Sequence, residues 1–189
     1  PTTAYFRIGV EHIIFGYDHL LFVLGLILLV RPRQLLTTVT AFTLAHSITL
    51  AAASLGGITL PGPPVEIIIA MSIALLGAEA IYRSRGRETL SQRKPWLIAF
   101  GFGLVHGFGF AGALSEIGLP KGAEVLALLL FNLGVEAGQV AFVCAVLLLV
   151  FLTTRLARLP LAPARYVAAY TIGIVGAYWA IERIVNVLV

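Results

Sequence analysis

The fold is decided by a short polar stretch near the start of the chain, which reads Glu11-His12-Ile13-Ile14-Phe15-Gly16-Tyr17-Asp18-His19. The stretch opens a long apolar run, where ionisable side chains are costly and usually mark a working site. The two acids are seven positions apart, as are the two histidines, and this spacing is close to two turns of a continuous helix. It predicts that Glu11, His12, Asp18 and His19 share one sector of one membrane helix.

The composition is that of a membrane protein. Hydrophobic residues make up 59% of the 189-residue chain and charged residues only 12%, against about 45–50% and about 25% in soluble domains. This excludes a water-soluble domain with a large core. The formal net charge is +4, but ten of the 13 basic residues lie in three short segments, 31–33, 83–94 and 155–165. We therefore interpret the positive charge as a topology signal and expect no nucleic-acid partner.

Six apolar segments are each long enough to cross a lipid bilayer, which takes about 20 residues of helix. Their approximate limits are 7–30, 34–56, 64–84, 95–117, 123–153 and 163–188. The prediction is an all-α, polytopic membrane bundle that forms a single transmembrane domain over residues 1–189 in the cell inner (plasma) membrane. Because basic loops stay in the cytoplasm, both termini are predicted to be extracytoplasmic. The start at Pro1 then favours an upstream signal peptide, or an extracytoplasmic N-terminal domain or partner protein.

Polar side chains in the other spans extend the site. His46 lies in the second span, His106 in the glycine-rich fourth span and Glu136 deep in the fifth. Small residues let membrane helices approach closely, so the glycines predict tight packing, or a locally irregular helix, around His106. All four histidines lie at middle depth or in the outer half of a span. We predict one metal pocket built from His12, Asp18, His19, His46, His106 and Glu136.

The donor set of this pocket indicates a divalent transition metal. Imidazole nitrogen suits nickel, cobalt, copper and zinc, and a carboxylate adds negative charge. Cys144 is the only cysteine, which excludes an intrachain disulfide and a thiolate cluster. Because Met71 is the only methionine, we do not expect a path for soft Cu⁺. The residues alone do not choose between nickel, cobalt and zinc.

Four ordered motifs make the chain resemble the HupE/UreJ family of membrane proteins. The first is His12-x5-Asp18-His19, and the others are the segments 42–50, 100–111 and 131–139, which read FTLAHSITL, FGFGLVHGFGFA and FNLGVEAGQ. The resemblance covers nearly the whole chain. It implies a nickel or cobalt permease, as the hydrogenase- and urease-linked members are regarded. Those members have an acid close after the histidine-glycine pair of a later motif, which this chain lacks after His106-Gly107.

Three functions stay open at this point. In a permease, the metal enters from outside and leaves inwards past Glu136 and Glu79, with energy from an ion gradient or a partner because no nucleotide motif is present. In an intramembrane zinc hydrolase acting on a lipid or acyl substrate, histidines hold Zn²⁺ and activate water. Asp18 or Glu136 is then the general base, and Ser47 binds the substrate or an oxyanion. A metal-binding accessory protein is the third possibility.

Overall fold

The computed structural model describes residues 2–156, 158 and 160–189, and all regular structure in them is helical. The predicted all-α fold is therefore confirmed. Pro1 lies outside the described residues, as do Ala157 and Leu159 of the third predicted basic loop. In chain order the helices are α1 (Ala4–Phe15), α2 (Tyr17–Leu29), α3 (Pro32–Gly56), α4 (Gly62–Ser84), α5 (Leu90–Arg93), α6 (Pro95–Ile117), α7 (Glu124–Arg155) and α8 (Leu161–Leu188).

Five of these helices, α3, α4, α6, α7 and α8, are long and apolar enough to cross a membrane. The helices α1 and α2 meet the same test only as a pair, and they are bent by 69° at their junction. The described residues thus contain five candidate membrane spans, or six if the bent pair is one span. This agrees with the predicted polytopic bundle, while the side of the membrane that the termini face stays a prediction.

The polar stretch that opens the chain does not form one continuous helix. Helix α1 ends at Phe15 and α2 begins at Tyr17, with Gly16 between them in a non-helical conformation at φ −81° and ψ 87°. The expected alignment of four polar side chains along one helix is therefore wrong. Kinks in helices concentrate at residues such as glycine. Here a side chain at Gly16 would meet the carbonyl of His12 and the ring of His19, so only glycine fits this bend without a shift.

Glycines also let the long helices pack closely. On α6, Gly103 and Gly107 lie directly against the α3 backbone at Phe42 and His46. Small residues at helix contacts allow this approach in membranes, where van der Waals packing rather than the hydrophobic effect holds helices together. The stretch around His106 forms one continuous helix, so the predicted tight packing is confirmed and no local irregularity is needed.

The bundle has a basic end, which we define by the junctions α2–α3, α4–α5 and α7–α8. At this end the Arg83 guanidinium donates to the Leu28 carbonyl at 2.7 Å. This bond ties the end of α4 to the end of α2. At the opposite end, the hydroxyl of Tyr5 donates to the Gly118 carbonyl and ties the start of α1 to the end of α6.

Two apolar cores fill the interior, one towards each end of the bundle. Helix α3 runs through both, because Phe42 belongs to the core at the basic end and Leu50 to the opposite core. His46 lies one turn of helix from each of them. The layer of histidines therefore separates the two cores, at the depth where α1 meets α2.

Candidate metal centre

The bend at Gly16 brings two histidines from neighbouring helices together. His12 lies in the last turn of α1 and His19 in the first turn of α2, and their ring centroids are 4.5 Å apart. On a continuous helix, residues seven positions apart are separated by about 10 Å along the axis. The two rings therefore meet because the chain bends, and not because the residues align on one helix face.

Asp18 orients the ring of His19. Its Oδ1 accepts a hydrogen bond from the His19 backbone amide at 2.9 Å and lies 3.0 Å from Nδ1 of the same residue. An ionised carboxylate can only accept, so the hydrogen of the neutral imidazole lies on Nδ1 and the lone pair on Nε2. This is the arrangement in which an outer carboxylate fixes the tautomer of a metal-binding histidine. Nε2 of His19 is thereby prepared to bind a metal.

His46 completes a three-histidine group. Its ring centroid lies 6.0 Å from that of His12 and 6.1 Å from that of His19. One ligand nitrogen from each of the three rings lies within 4.8 Å of the other two. Two nitrogens bound to one ion at about 2.0–2.1 Å can be at most about 4.2 Å apart. Small movements of the side chains are thus enough to close the group around an ion.

Two of the three histidines are buried and His12 is half-buried, and several of the ring nitrogens are unpaired. His46 is completely buried and His19 is only 4% exposed. Nε2 of His12 and both ring nitrogens of His46 make no hydrogen bond of good geometry within the described part of the chain, and the side chain of Asn132 is the polar neighbour of the His46 ring. Buried polar atoms nearly always have a partner, so converging unpaired nitrogens indicate a ligand. A metal ion of the imidazole-binding class fits this donor set.

His106 joins the layer through His19. Its Nδ1 lies 3.5 Å from Nε2 of His19, which is the atom that His19 offers to a metal. A metal and His106 therefore compete for one lone pair. The other nitrogen of His106, Nε2, is buried and has no partner among the described residues. His106 is thus placed to exchange with the ion at His19, or to follow it as a fourth ligand.

Aromatic rings close the histidine layer towards the end opposite the basic loops. Phe102, His106 and Phe110 follow one another on α6 at four-residue spacing, so one phenyl ring lies a turn to each side of the histidine. The ring centroid of Phe110 lies 3.9 Å from that of His12 and 4.9 Å from that of Phe131. We call Phe110 and Phe131 the outer aromatic wall.

A second pair of rings closes the layer towards the basic end. The centroids of Phe22 and Phe42 are 5.1 Å apart, and each ring contacts His106 at 5.3 Å and 5.0 Å respectively. We call this pair the inner aromatic wall. Phe22, Phe42 and Phe131 are completely buried. The histidine layer is therefore occluded from both ends of the bundle.

Glu136 does not lie in the three-histidine group. Its Oε1 accepts a hydrogen bond from Thr40 Oγ1 at 2.6 Å. Because α3 starts at the basic end, Thr40 lies about 9 Å nearer to that end than His46. The structure thus divides the six predicted pocket residues. The histidines and Asp18 form one layer, whereas Glu136 belongs to a separate polar contact between α3 and α7.

Other polar residues singled out from the sequence make contacts elsewhere. Glu11 forms an exposed ion pair with Arg7 at 2.6 Å, so it does not share a sector with the histidines as expected. Ser47 donates to a carbonyl of its own helix at 2.6 Å. Glu79 accepts a hydrogen bond from the Ser91 amide at 3.1 Å, near the basic end. These contacts place all three outside the three-histidine group.

The aromatic walls are the part of the site that sequence reasoning missed. A signal for them was present, because Phe42 lies four residues before His46, and Phe102 and Phe110 lie four residues to either side of His106. Side chains four residues apart lie on the same face of a helix. In a chain rich in phenylalanine this spacing is easily read as ordinary core packing.

The fold and the site together define an all-helical integral membrane protein with a buried histidine cluster suited to a metal ion. The model of the HupE / UreJ protein family matches residues 1–183, which is nearly the whole chain. The protein belongs to that family, and the resemblance carried by the four motifs is confirmed. No curated protein and no solved structure matches the chain.

Proposed function

We propose that this protein is a permease for a divalent transition metal, with nickel or cobalt as its substrate. The observation that carries the proposal is the three-histidine group, whose ligand nitrogens lie within 4.8 Å of one another beside a 69° break between two membrane helices. Transporters often bind their substrates at discontinuous helices, where irregular backbone lines a cavity. Membership of the HupE / UreJ family supports nickel and cobalt in particular.

The ligand chemistry fits a substrate that is bound and then released. His12, His19 and His46 supply neutral nitrogen donors, which favour ions such as Ni²⁺ and Co²⁺ over hard Mg²⁺ or soft Cu⁺. Asp18 positions His19 and is the carboxylate next to the group. Neutral ligands leave most of the charge of the ion uncompensated. A permease requires in addition that the ion exchanges readily, because its substrate must leave on the other side.

The aromatic walls support a transport cycle that passes through an occluded state. At the end opposite the basic loops, a cavity of about 350 Å³ is lined by residues that include Ser54, Phe108 and Leu114. Phe110 belongs to the same stretch of α6 as this lining and covers His12. In this proposal, movement of Phe110, which neighbours the lining residue Ala111 in the chain, opens a path from the cavity to the histidine layer. We propose that the metal enters through this cavity and leaves past the inner aromatic wall.

Uptake of radioactive nickel or cobalt by liposomes that contain the purified protein tests the proposal. We expect uptake above that of empty vesicles in the wild type and none above it in His46→Ala. Ser47→Ala is the matched control, because Ser47 neighbours His46 but bonds only to its own helix. It should transport like the wild type. Absence of uptake for every divalent transition metal tested would overturn the permease.

The same preparations distinguish the zinc hydrolase. A hydrolase requires one tightly held zinc ion per chain that survives dialysis, since catalytic zinc stays with its three ligands through the reaction. A permease instead gives exchangeable nickel or cobalt. Retained zinc together with absent uptake therefore favours the enzyme with Asp18 or Glu136 as general base. Exchangeable metal with measurable uptake favours transport.

A further inference from the structure

A second polar layer lies on the basic side of the histidines, between α3 and α7. Thr40 Oγ1 donates to Glu136 Oε1 at 2.6 Å, and Thr43 Oγ1 donates to the Gln139 side-chain oxygen at 2.8 Å. Both pairs join a threonine of α3 to a longer side chain of α7, and each helix supplies its two residues at a spacing of three. The two hydrogen bonds therefore lie next to each other along the contact between α3 and α7 and form one polar layer.

Two atoms of this layer are buried and have no partner in the described part of the chain. They are Glu136 Oε2 and Gln139 Nε2. Gln139 is only 1% exposed, and Thr43 beside it is 7% exposed. Glu136 as a whole is half-buried, and its hydrogen bond to Thr40 lies at the exposed side of the contact. A carboxylate oxygen that is itself buried is nevertheless unfavourable unless its lone pairs are used. One oxygen of Glu136 has its donor in Thr40, while the other is left for a ligand.

No basic side chain balances this carboxylate among the described residues. Their ion pairs do not include Glu136. Thr40, its hydrogen-bond partner, is an uncharged and exposed residue at the surface of the bundle. None of the described ionisable side chains on the helices that contact α7 forms an ion pair with Glu136. These side chains are Tyr5, Arg7, Glu11 and His12 on α1, Tyr17, Asp18 and His19 on α2, and Arg33 and His46 on α3.

The donor atoms of the second layer differ in kind from those of the metal centre. The histidine layer offers nitrogen, which suits borderline transition metals. The second layer offers oxygen as its acceptor atoms, from a carboxylate, a side-chain carbonyl and two hydroxyls, with the amide nitrogen of Gln139 as a hydrogen-bond donor beside them. Oxygen donors suit hard cations. A single carboxylate balances one positive charge, which points to a monovalent hard cation.

We propose that Thr40, Thr43, Glu136 and Gln139 form a separate binding site for a monovalent hard cation, a proton or a sodium ion, that couples to metal transport. The coupling rests on the proposed permease function, whereas the binding site does not. Helix α3 carries both His46 and the two threonines, and α7 carries both Phe131 and Glu136. A cation held between α3 and α7 therefore acts on the same two helices that supply a metal ligand and half of the outer aromatic wall.

Infrared spectra of the purified protein in liposomes without any transition metal test the site itself. Glu136→Gln is the test variant, and Glu88→Gln is the matched acid-to-amide control, because Glu88 is paired with Arg93 on an exposed loop at 2.9 Å. A proton in the site gives a carboxylic acid C=O band at neutral pH that Glu136→Gln removes and Glu88→Gln keeps. A sodium ion gives a carboxylate band that shifts when sodium replaces potassium, again only while Glu136 is present.

Either of these results supports the site and names its cation. If the wild type shows neither a carboxylic acid band that Glu136→Gln removes nor a carboxylate band of Glu136 that shifts between sodium and potassium at neutral pH, the site is refuted. Thr40→Val is a second variant in case Glu136→Gln does not fold. It keeps the Glu136 carboxylate but removes its hydrogen-bond donor. The proposal requires the Glu136 band to shift in this variant.

Two further measurements, cobalt binding and the movement of protons or sodium during nickel uptake, distinguish a failure of the coupling from a failure of the permease. Glu136→Gln should still bind cobalt, as seen from the absorption of the bound ion, because its ligands are intact. In the wild type, nickel uptake should be accompanied by movement of protons or sodium, and this movement should be lost in Glu136→Gln. Uptake with unchanged cation movement in Glu136→Gln would refute the coupling alone. No uptake in the wild type would refute the permease and leave the infrared result standing.

Discussion

Replacing Asp18 by asparagine tests how the metal centre is positioned. Asparagine has nearly the same shape, and its Oδ1 can still accept the His19 amide now bonded at 2.9 Å. It removes the negative charge that lies 3.0 Å from Nδ1 of His19. Loss of an outer partner of a metal-binding histidine lowers metal affinity by about 10- to 100-fold. Because the Asp18 side chain is 27% exposed, we expect the lower part of that range, about 10- to 30-fold.

In free energy, this loss is about 1.4–2 kcal/mol of metal binding. Titration of the purified protein with cobalt, followed by calorimetry or by the absorption of the bound ion, measures it. Glu11→Gln is the matched control, since Glu11 belongs to the same polar stretch but forms an exposed pair with Arg7. Its affinity should equal that of the wild type. If Asp18→Asn binds cobalt as tightly as the wild type, or if both variants lose affinity equally, Asp18 does not position His19.

Three further outcomes follow from the walls and from the packing of the helices. Phe110→Ala should release bound metal to a chelator several-fold faster, because it opens the outer aromatic wall over His12; an unchanged release rate would contradict the occlusion. Gly107→Ala places a methyl group against Thr49 and the α3 backbone, so it should destabilise the protein by about 1–3 kcal/mol in thermal unfolding. Gly101→Ala is the control and should leave the stability unchanged, because Gly101 has open space around it. Nickel at 100 times its dissociation constant should stabilise the wild type by about 2.7 kcal/mol, and a variant without the His46 ring should lose this gain.

Much of the fold could be predicted because membrane helices are specified by local composition. An apolar run of about 20 residues identifies a span without knowledge of its neighbours, and the five long helices lie close to the predicted limits. The glycines around His106 likewise predicted a close helix contact. These features depend on residues that are near one another in the chain.

The break at Gly16 could not be predicted in the same way. The seven-residue spacing of His12 and His19 fits a straight helix, and a single glycine is tolerated in many membrane helices. In the bent form the carbonyl of His12 and the ring of His19 leave no room for a side chain at Gly16, so the bend needs glycine there, but the presence of a glycine does not show that a bend forms. His12 and His19 do lie close together. They do so because the chain bends at Gly16, and the seven-residue spacing gives no sign of that bend.

The position of Glu136 was also beyond sequence reasoning. Its depth in a span predicted a polar partner, and the histidines were the obvious candidates. Whether an acid on α7 faces His46 or Thr40 depends on how α7 is rotated and shifted against α3. The structure places Thr40 at its carboxylate. Depth in a span is readable from the sequence, whereas the pairing of residues across two helices is not.

The order of the site residues along the chain has a consequence for how the protein is made. His12, His19 and His46 all lie within the first quarter of the sequence, whereas the outer aromatic wall comes from Phe110 and Phe131 much later. During synthesis the three ligands leave the ribosome well before the rings that cover them. A growing chain therefore carries the three-histidine group before the cover and His106 exist, and enclosure of the centre is a late step of biogenesis.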